Sequence, residues 1–202
     1  MQTPVIIAAL AGALTLTAVG VQKQKNTKVI KMLQQNGPCP QLNHQDFLAR
    51  LSEAVDTAKL KGAVLNKAAV MAQAALETGW GSSIPQGQNG ECSNNLFGIK
   101  AGLTWLGPTV TTMTSEYYAG KWVRVPARWR AYPSWNECLV DYAKIIKMLY
   151  PQSLRYADGD PNGWVQGLVS GKTWRWATDP NYVAVVSGVG QSLVNYGGPQ
   201  WT

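Results

Sequence analysis

The stretch Asn66 to Gly81, NKAAVMAQAALETGWG, decides how the chain is read. Asn66 is an N-cap residue, and Gly79 suits the left-handed position that stops a helix. Between them stand mostly strong helix formers. Val70, Gln73, Ala74 and Glu77 fall three, four and seven apart, so they share one helix face. A single carboxylate on a small, apolar face breaks the local pattern, and such breaks mark functional sites. Apolar surroundings raise the pKa of a carboxyl group, and the negative end of the helix dipole pushes the same way. Glu77 is therefore the candidate general acid, a group still protonated near neutral pH and able to give its proton to a leaving oxygen. A surface glutamate at a helix end is the bland alternative. The flanking Gly79, Trp80 and Gly81 weigh against it.

Helical patterns surround this stretch. Asn43 and Asp46 cap a run in which Phe47, Leu48, Leu51, Val55 and Ala58 recur at helical spacing, closed by Gly62. Beyond Gly81 lies a polar loop, then Leu96 to Lys100. Val110 to Trp129 is rich in Thr, Val, Tyr and Trp, with Ala119-Gly120 as a turn, and predicts a β-hairpin. Glu116 falls near its tip, on the strand face of Thr112 and Thr114. Its alternative reading is an exposed strand-end residue. Ser134 and Glu137 form a capping-box pattern opening a helix that Pro151 ends. Asp160-Pro161 starts a short helix that Gly171 closes, and Asp179-Pro180 starts the last, with Tyr182 in its first turn. Helices, a small β-insert, then helices predict an α+β chain, mostly α, with a cleft between the parts.

The N-terminus differs from the rest. Pro4 to Val21 carries no charge and is about long enough, at roughly 1.5 Å per residue, to cross a hydrocarbon core of roughly 30 Å. Residues 1–22 are expected to be a hydrophobic helix acting as a retained membrane anchor, a cleaved signal segment or a weak, releasable anchor. Lys23, Lys25, Lys28 and Lys31 follow it, and residues 23–42 form a basic linker broken by Gly37, Pro38 and Pro40. Lysines after a span hold the following domain in the cytoplasm. This conflicts with a simple secreted enzyme. Delivery by a phage virion, or release at lysis with phage components, would remove the conflict. The folded domain is assigned to residues 43–202.

Composition narrows the chemistry. The net charge is +7, yet once those four lysines are set apart from the 18 basic residues, only a small excess over the 11 acidic residues remains. Nucleic acid is not an expected partner. One histidine, His44, leaves no material for a His-based triad or a multi-His metal site. No cofactor and no metal are expected. Most of the nine tryptophans should pack in the core, with some free to meet pyranose rings. Cys138 falls among apolar helical positions as a buried thiol. Cys39 and Cys92 sit in loops, where an oxidising compartment would let them pair and a reducing one would leave them free.

Four segments carry a family resemblance: Ala72 to Gly81 (AQAALETGWG), Ser93 to Lys100 (SNNLFGIK), Thr114 to Tyr117 with Gly120 (TSEY, then G), and Trp176 to Tyr182 (WATDPNY). In order, and across about Asn43 to Tyr196, they resemble the flagellar-type β-N-acetylglucosaminidases, lysozyme-like peptidoglycan hydrolases of autolysins, flagellar assembly proteins and phage lysins. The first forty residues are not covered. The resemblance implies a lysozyme-like fold with a β-hairpin lobe beside the catalytic cleft. It implies Glu77 as general acid, Glu116 as second carboxylate, and Tyr182 holding the sugar or the developing charge. Trp80, Asn95 and Phe97 would shape the sugar sites. The substrate would be the glycan strand of peptidoglycan, cut between N-acetylglucosamine and N-acetylmuramic acid, in the cell envelope outside the cytoplasm. An acetamido-assisted route stays open. So do a lytic transglycosylase or muramidase on a similar fold, and a non-catalytic wall-binding or virion module. The Ser82 to Ser93 loop, longer than the family pattern and holding Cys92, departs from it.

Overall fold

A computed structural model describes residues 37–118, 121–171 and 175–202, with the side chains of residues 116–118 not described. The expected hydrophobic helix at 1–22 and most of the 23–42 linker lie outside the described residues, as does Trp174. No helix among the described residues is long and apolar enough to cross a membrane.

In chain order the elements are α1 (His44–Leu60), α2 (Lys67–Thr78), β1 (Thr109–Tyr118), β2 (Lys121–Arg130), α3 (Trp135–Leu149), a 3-10 turn (Pro151–Tyr156), α4 (Pro161–Val169), α5 (Tyr182–Ser192) and a second 3-10 turn (Leu193–Tyr196). Among the described residues, the helical body with one two-stranded antiparallel sheet is the predicted α+β architecture.

Helix α2 lies at the centre. Every residue from Ala69 to Ala75 is buried, and the helix packs most extensively against α5, with α1 and α4 beside it. Its stripe of alanines explains this, because small side chains let neighbours approach on all sides. The Asn66 side chain accepts from the Ala69 N–H at 3.0 Å, and its amide donates to the carbonyls of Tyr156 (2.7 Å) and Gly159 (2.8 Å). One residue thus caps α2 and ties it to the turn before α4. Helix α1 buries Phe47, Leu48, Leu51, Val55 and Ala58, the predicted face, beneath an Asn43 cap.

Helix α3 departs from the capping-box reading. Ser134 makes no side-chain bond to a helix N–H; its hydroxyl donates to the Glu137 carboxylate, which also meets Lys61 at 3.0 Å. The carboxylate is thus shared between the Ser134 hydroxyl and Lys61, just past the end of α1. Cys138 is buried as a free thiol. Cys39 and Cys92 form a disulfide that joins the segment before α1 to the 82–93 loop.

The hairpin runs in register from Thr109 opposite Arg130 to Tyr118 opposite Lys121. Its base is stitched to the body by the SNNLFGIK segment. Asn95 donates to the carbonyls of Ile99 and Arg130, both at 2.9 Å, and accepts from the Ile99 N–H at 3.0 Å. The Arg130 N–H donates to the Ile99 carbonyl at 3.0 Å, and that of Tyr132 to the Ser93 carbonyl at 2.8 Å. Asp141 of α3 completes the joint, accepting from Arg130 and Tyr132, each at 2.8 Å.

Candidate active site

The site begins where α2 ends. Trp80 donates its N–H to the Ala75 carbonyl at 2.8 Å, and Gly79 donates to that of Leu76, which closes the helix in a Schellman turn. Gly79, Trp80 and Gly81 all have positive φ, at 54°, 58° and 89°. Thr78 locks the reversal. Its hydroxyl donates to the Ala74 carbonyl at 2.6 Å and accepts from the Gly81 N–H at 2.9 Å. A Cβ at Gly81 would stand 2.8 Å from the Phe47 ring, so the chain can pass α1 only as glycine. Trp80 accepts a backbone conformation that costs about 1–3 kcal/mol, and its ring stacks on His44 at 4.3 Å with Tyr196 edge-on at 5.3 Å. The chain therefore turns away sharply one residue after the carboxylate-bearing turn, leaving Glu77 part-buried at the helix end.

Two other parts of the chain reach Glu77. Tyr182, the first residue of α5, donates its hydroxyl to Oε1 at 2.9 Å. Trp176, in the segment before α5, donates its indole N–H to the same oxygen at 3.2 Å. Oε1 thus accepts two hydrogen bonds, and donors gathered on one oxygen favour the proton of a neutral acid on the other. Burial raises the Glu77 pKa to about 7, against the lowering effect of the Tyr182 and Trp176 hydrogen bonds. The carboxyl group is thus poised to hold a proton near neutral pH and to give it up. Burial, the neighbouring Glu77 charge and the hydrogen bond to it hold the Tyr182 hydroxyl well above its ordinary range, so Tyr182 stays a neutral donor.

The other predicted residues occupy different layers. Phe97 is buried and stacks on Tyr142 at 4.1 Å, edge-on to Trp176 at 6.3 Å. Asn95 is buried at the hairpin joint described above. Trp80 belongs to the aromatic group of His44, Phe47 and Tyr196. Glu116 is paired with Val123 in the strand register, toward the end of the hairpin far from the buried Val110–Trp129 pair. Trp129, Trp135, Trp164 and Trp176 are buried in the core, Trp80, Trp105 and Trp201 pack against it partly buried, and Trp122 is 55% exposed. Trp176 as a direct partner of the acid was not foreseen from its own position. Its only signal was membership of the WATDPNY segment. Among the described residues no cluster of three or more His, Cys, Asp or Glu could hold a metal.

Comparison with known proteins places this geometry in context. A family model described as mannosyl-glycoprotein endo-beta-N-acetylglucosaminidase, the glucosaminidase family, matches residues 53–193. The peptidoglycan hydrolase FlgJ of Salmonella typhimurium is 38% identical over 150 residues, covering 74% of this chain and 46% of that protein. A probable N-acetylmuramidase of Lactococcus lactis is 32% identical over 167 residues, covering 76% of this chain and 35% of the relative. The chain thus spans about half or less of the length of these relatives. Among solved structures, the glycoside hydrolase domain of Salmonella typhimurium FlgJ, truncated at its C-terminus, aligns with TM-score 0.62 and 34% identity over 76% of this chain and 99% of that one. A mutant peptidoglycan hydrolase of Sphingomonas sp. A1 aligns with TM-score 0.63 and 32% identity, over 75% and 97% of the two chains.

Proposed function

Because this chain belongs to the glucosaminidase family, we propose that it is a glycoside hydrolase acting on peptidoglycan, cutting the β-1,4 bond that follows N-acetylglucosamine and precedes N-acetylmuramic acid. The observation that carries this reading is Glu77, held near a pKa of about 7 at a helix end with two donors on one oxygen. Its Oε2 proton goes to the leaving glycosidic oxygen as the bond breaks. The resulting carboxylate is met by the Tyr182 hydroxyl and the Trp176 N–H, which stabilise the charge it gains.

Attack on the sugar carbon falls to water positioned by Glu116 or to the substrate's own acetamido group. Asn95 shapes the sugar site from beneath by setting the hairpin base, and Phe97 by supporting Trp176 and Tyr142. Trp80 fixes the turn that exposes the acid. Peptidoglycan lies outside the cytoplasmic membrane, a setting that suits the Cys39–Cys92 disulfide.

The name of the Lactococcus lactis relative favours a second reading, cleavage on the muramic side. Analysis of the ends released from purified peptidoglycan separates the two. New reducing N-acetylglucosamine ends, absent with Glu77→Gln, are expected. Reducing muramic ends would transfer the reading to a muramidase, anhydromuramic ends to a lytic transglycosylase. A Glu77→Gln variant as active as the wild type would remove the acid assignment.

A further inference from the structure

Behind Glu77 runs a single row of hydrogen bonds. The Trp164 indole N–H donates to the Tyr142 hydroxyl at 3.4 Å. Tyr142 donates to Gln73 Oε1 at 2.7 Å, and Gln73 Nε2 donates to the Tyr182 hydroxyl at 3.0 Å. Tyr182 then donates to Glu77 at 2.9 Å. Trp164, Tyr142 and Gln73 have no exposed surface, and Tyr182 is 6% exposed. Water cannot replace a member of such a row, so each bond must come from the next side chain.

Resting on the reading of Glu77 as the acid, we propose that Gln73 is a positioning residue whose amide fixes the direction of the Tyr182 hydroxyl and thereby which oxygen of Glu77 carries the transferable proton. A phenol can donate or accept, and an amide can point either way round. Left alone, Tyr182 could donate to Gln73 instead of to Glu77. The far end of the row removes that choice. An indole N–H can only donate, so the Tyr142 oxygen accepts from Trp164 and its hydrogen goes on to Gln73 Oε1. The amide then presents its N–H to Tyr182, and the Tyr182 hydrogen is left for Glu77 Oε1. With Trp176 on the same oxygen, the acid proton is kept on Oε2. Gln73 sits one helical turn before Glu77 on the same face, which gives it the reach to do this. The titratable groups facing Glu77 include Tyr182 of α5 and Tyr142 of α3.

The test is a carbon-13 NMR titration of the Glu77 carboxyl beside kcat and KM against pH. The proteins compared are wild type, Gln73→Met, Tyr142→Phe, Tyr182→Phe and Gln73→Met with Tyr182→Phe. Gln73→Met loosens the Tyr182 donor, which lowers the Glu77 pKa, so the Glu77 midpoint and the alkaline limb of kcat should both move to higher pH. At the optimum kcat should fall roughly tenfold with KM little changed. Tyr142→Phe, which leaves Gln73 Oε1 without its donor, should produce the same shift in smaller measure and serves if Gln73→Met does not fold. In the Tyr182→Phe background, Gln73→Met should add nothing to the midpoint. An unmoved midpoint in either single variant, or shifts of Gln73→Met and Tyr182→Phe that simply add, would overturn the proposal. The NMR midpoint needs no substrate. A shifted midpoint in a protein that releases no glycan ends would keep the relay and remove the proposed activity, whereas released ends with an unmoved midpoint would do the reverse.

Discussion

The two acidic residues of interest sit on unlike supports. Glu77 ends a helix that is buried on every side, and its oxygen is reached by donors from two other parts of the chain. Glu116 lies on a two-stranded ribbon whose joints to the body, among the described residues, gather at its base. Val110, Trp129 and Arg130 are buried there, while Trp122 and Val123 near the tip are exposed. A ribbon of two strands has little stability of its own, so the Asn95 and Asp141 joints must orient the whole lobe. The difference fits the roles proposed for the two carboxyl groups. An acid working near neutral pH needs a displaced pKa, which only a buried, preorganised setting supplies. A group that positions water needs placement alone, and an arm fixed at one end can give that.

Substitutions can break or sharpen this contrast. Glu77→Gln should fold and lower glycan cleavage by about 10²–10⁴-fold, the usual worth of a general acid, as read by released ends. Asn95→Ala removes the bonds to Ile99 and Arg130 at the hairpin joint. Leaving those buried groups unpaired should cost about 3 kcal/mol in urea unfolding, and a loss below about 0.5 kcal/mol would mean that the lobe is held by other contacts. The Glu77 site also leaves a mark on stability. Its folded pKa of about 7 lies above the ordinary 4.5, so the native state binds more protons between those values and stability falls as pH rises through that window. Glu77→Gln should therefore match the wild type at pH 4 and exceed it by up to about 3 kcal/mol at pH 8. Equal stability at pH 8 would show that the carboxyl group is not displaced. Glu116→Gln should reduce cleavage by roughly tenfold without changing the melting temperature, and an unchanged rate would return Glu116 to an exposed strand-end residue. At the bottom of the scale, Lys61→Ala breaks the surface pair with Glu137 and should shift unfolding by less than about 1 kcal/mol.

Much of the fold was legible because its signals are local. The Asn43 and Asn66 caps, the Gly79 stop and the hairpin around Ala119-Gly120 each depend on residues a few positions apart, and the elements fall where those signals stand. The Ser134 cap failed because its hydroxyl turns to the Glu137 carboxylate, which also meets Lys61 just past the end of α1, a partner no local pattern announces. Asn95 and Phe97 carried a motif, but the motif did not say that both would be buried and would work through the hairpin base and the Trp176 ring.

By itself the amino-acid sequence determined an acidic residue on an apolar helix face, a sharp glycine-bounded turn behind it, and a predominantly helical chain with one hairpin. Spacing along a helix is enough to establish those. Only the tertiary structure decided what the acid is worth. Trp176 and Tyr182 lie about a hundred positions from Glu77, and Tyr142 lies 69 from Gln73. The direction of a hydroxyl, the oxygen that keeps a proton and the rise of a pKa all depend on which distant groups packing brings within 3 Å or so, and no local pattern encodes that.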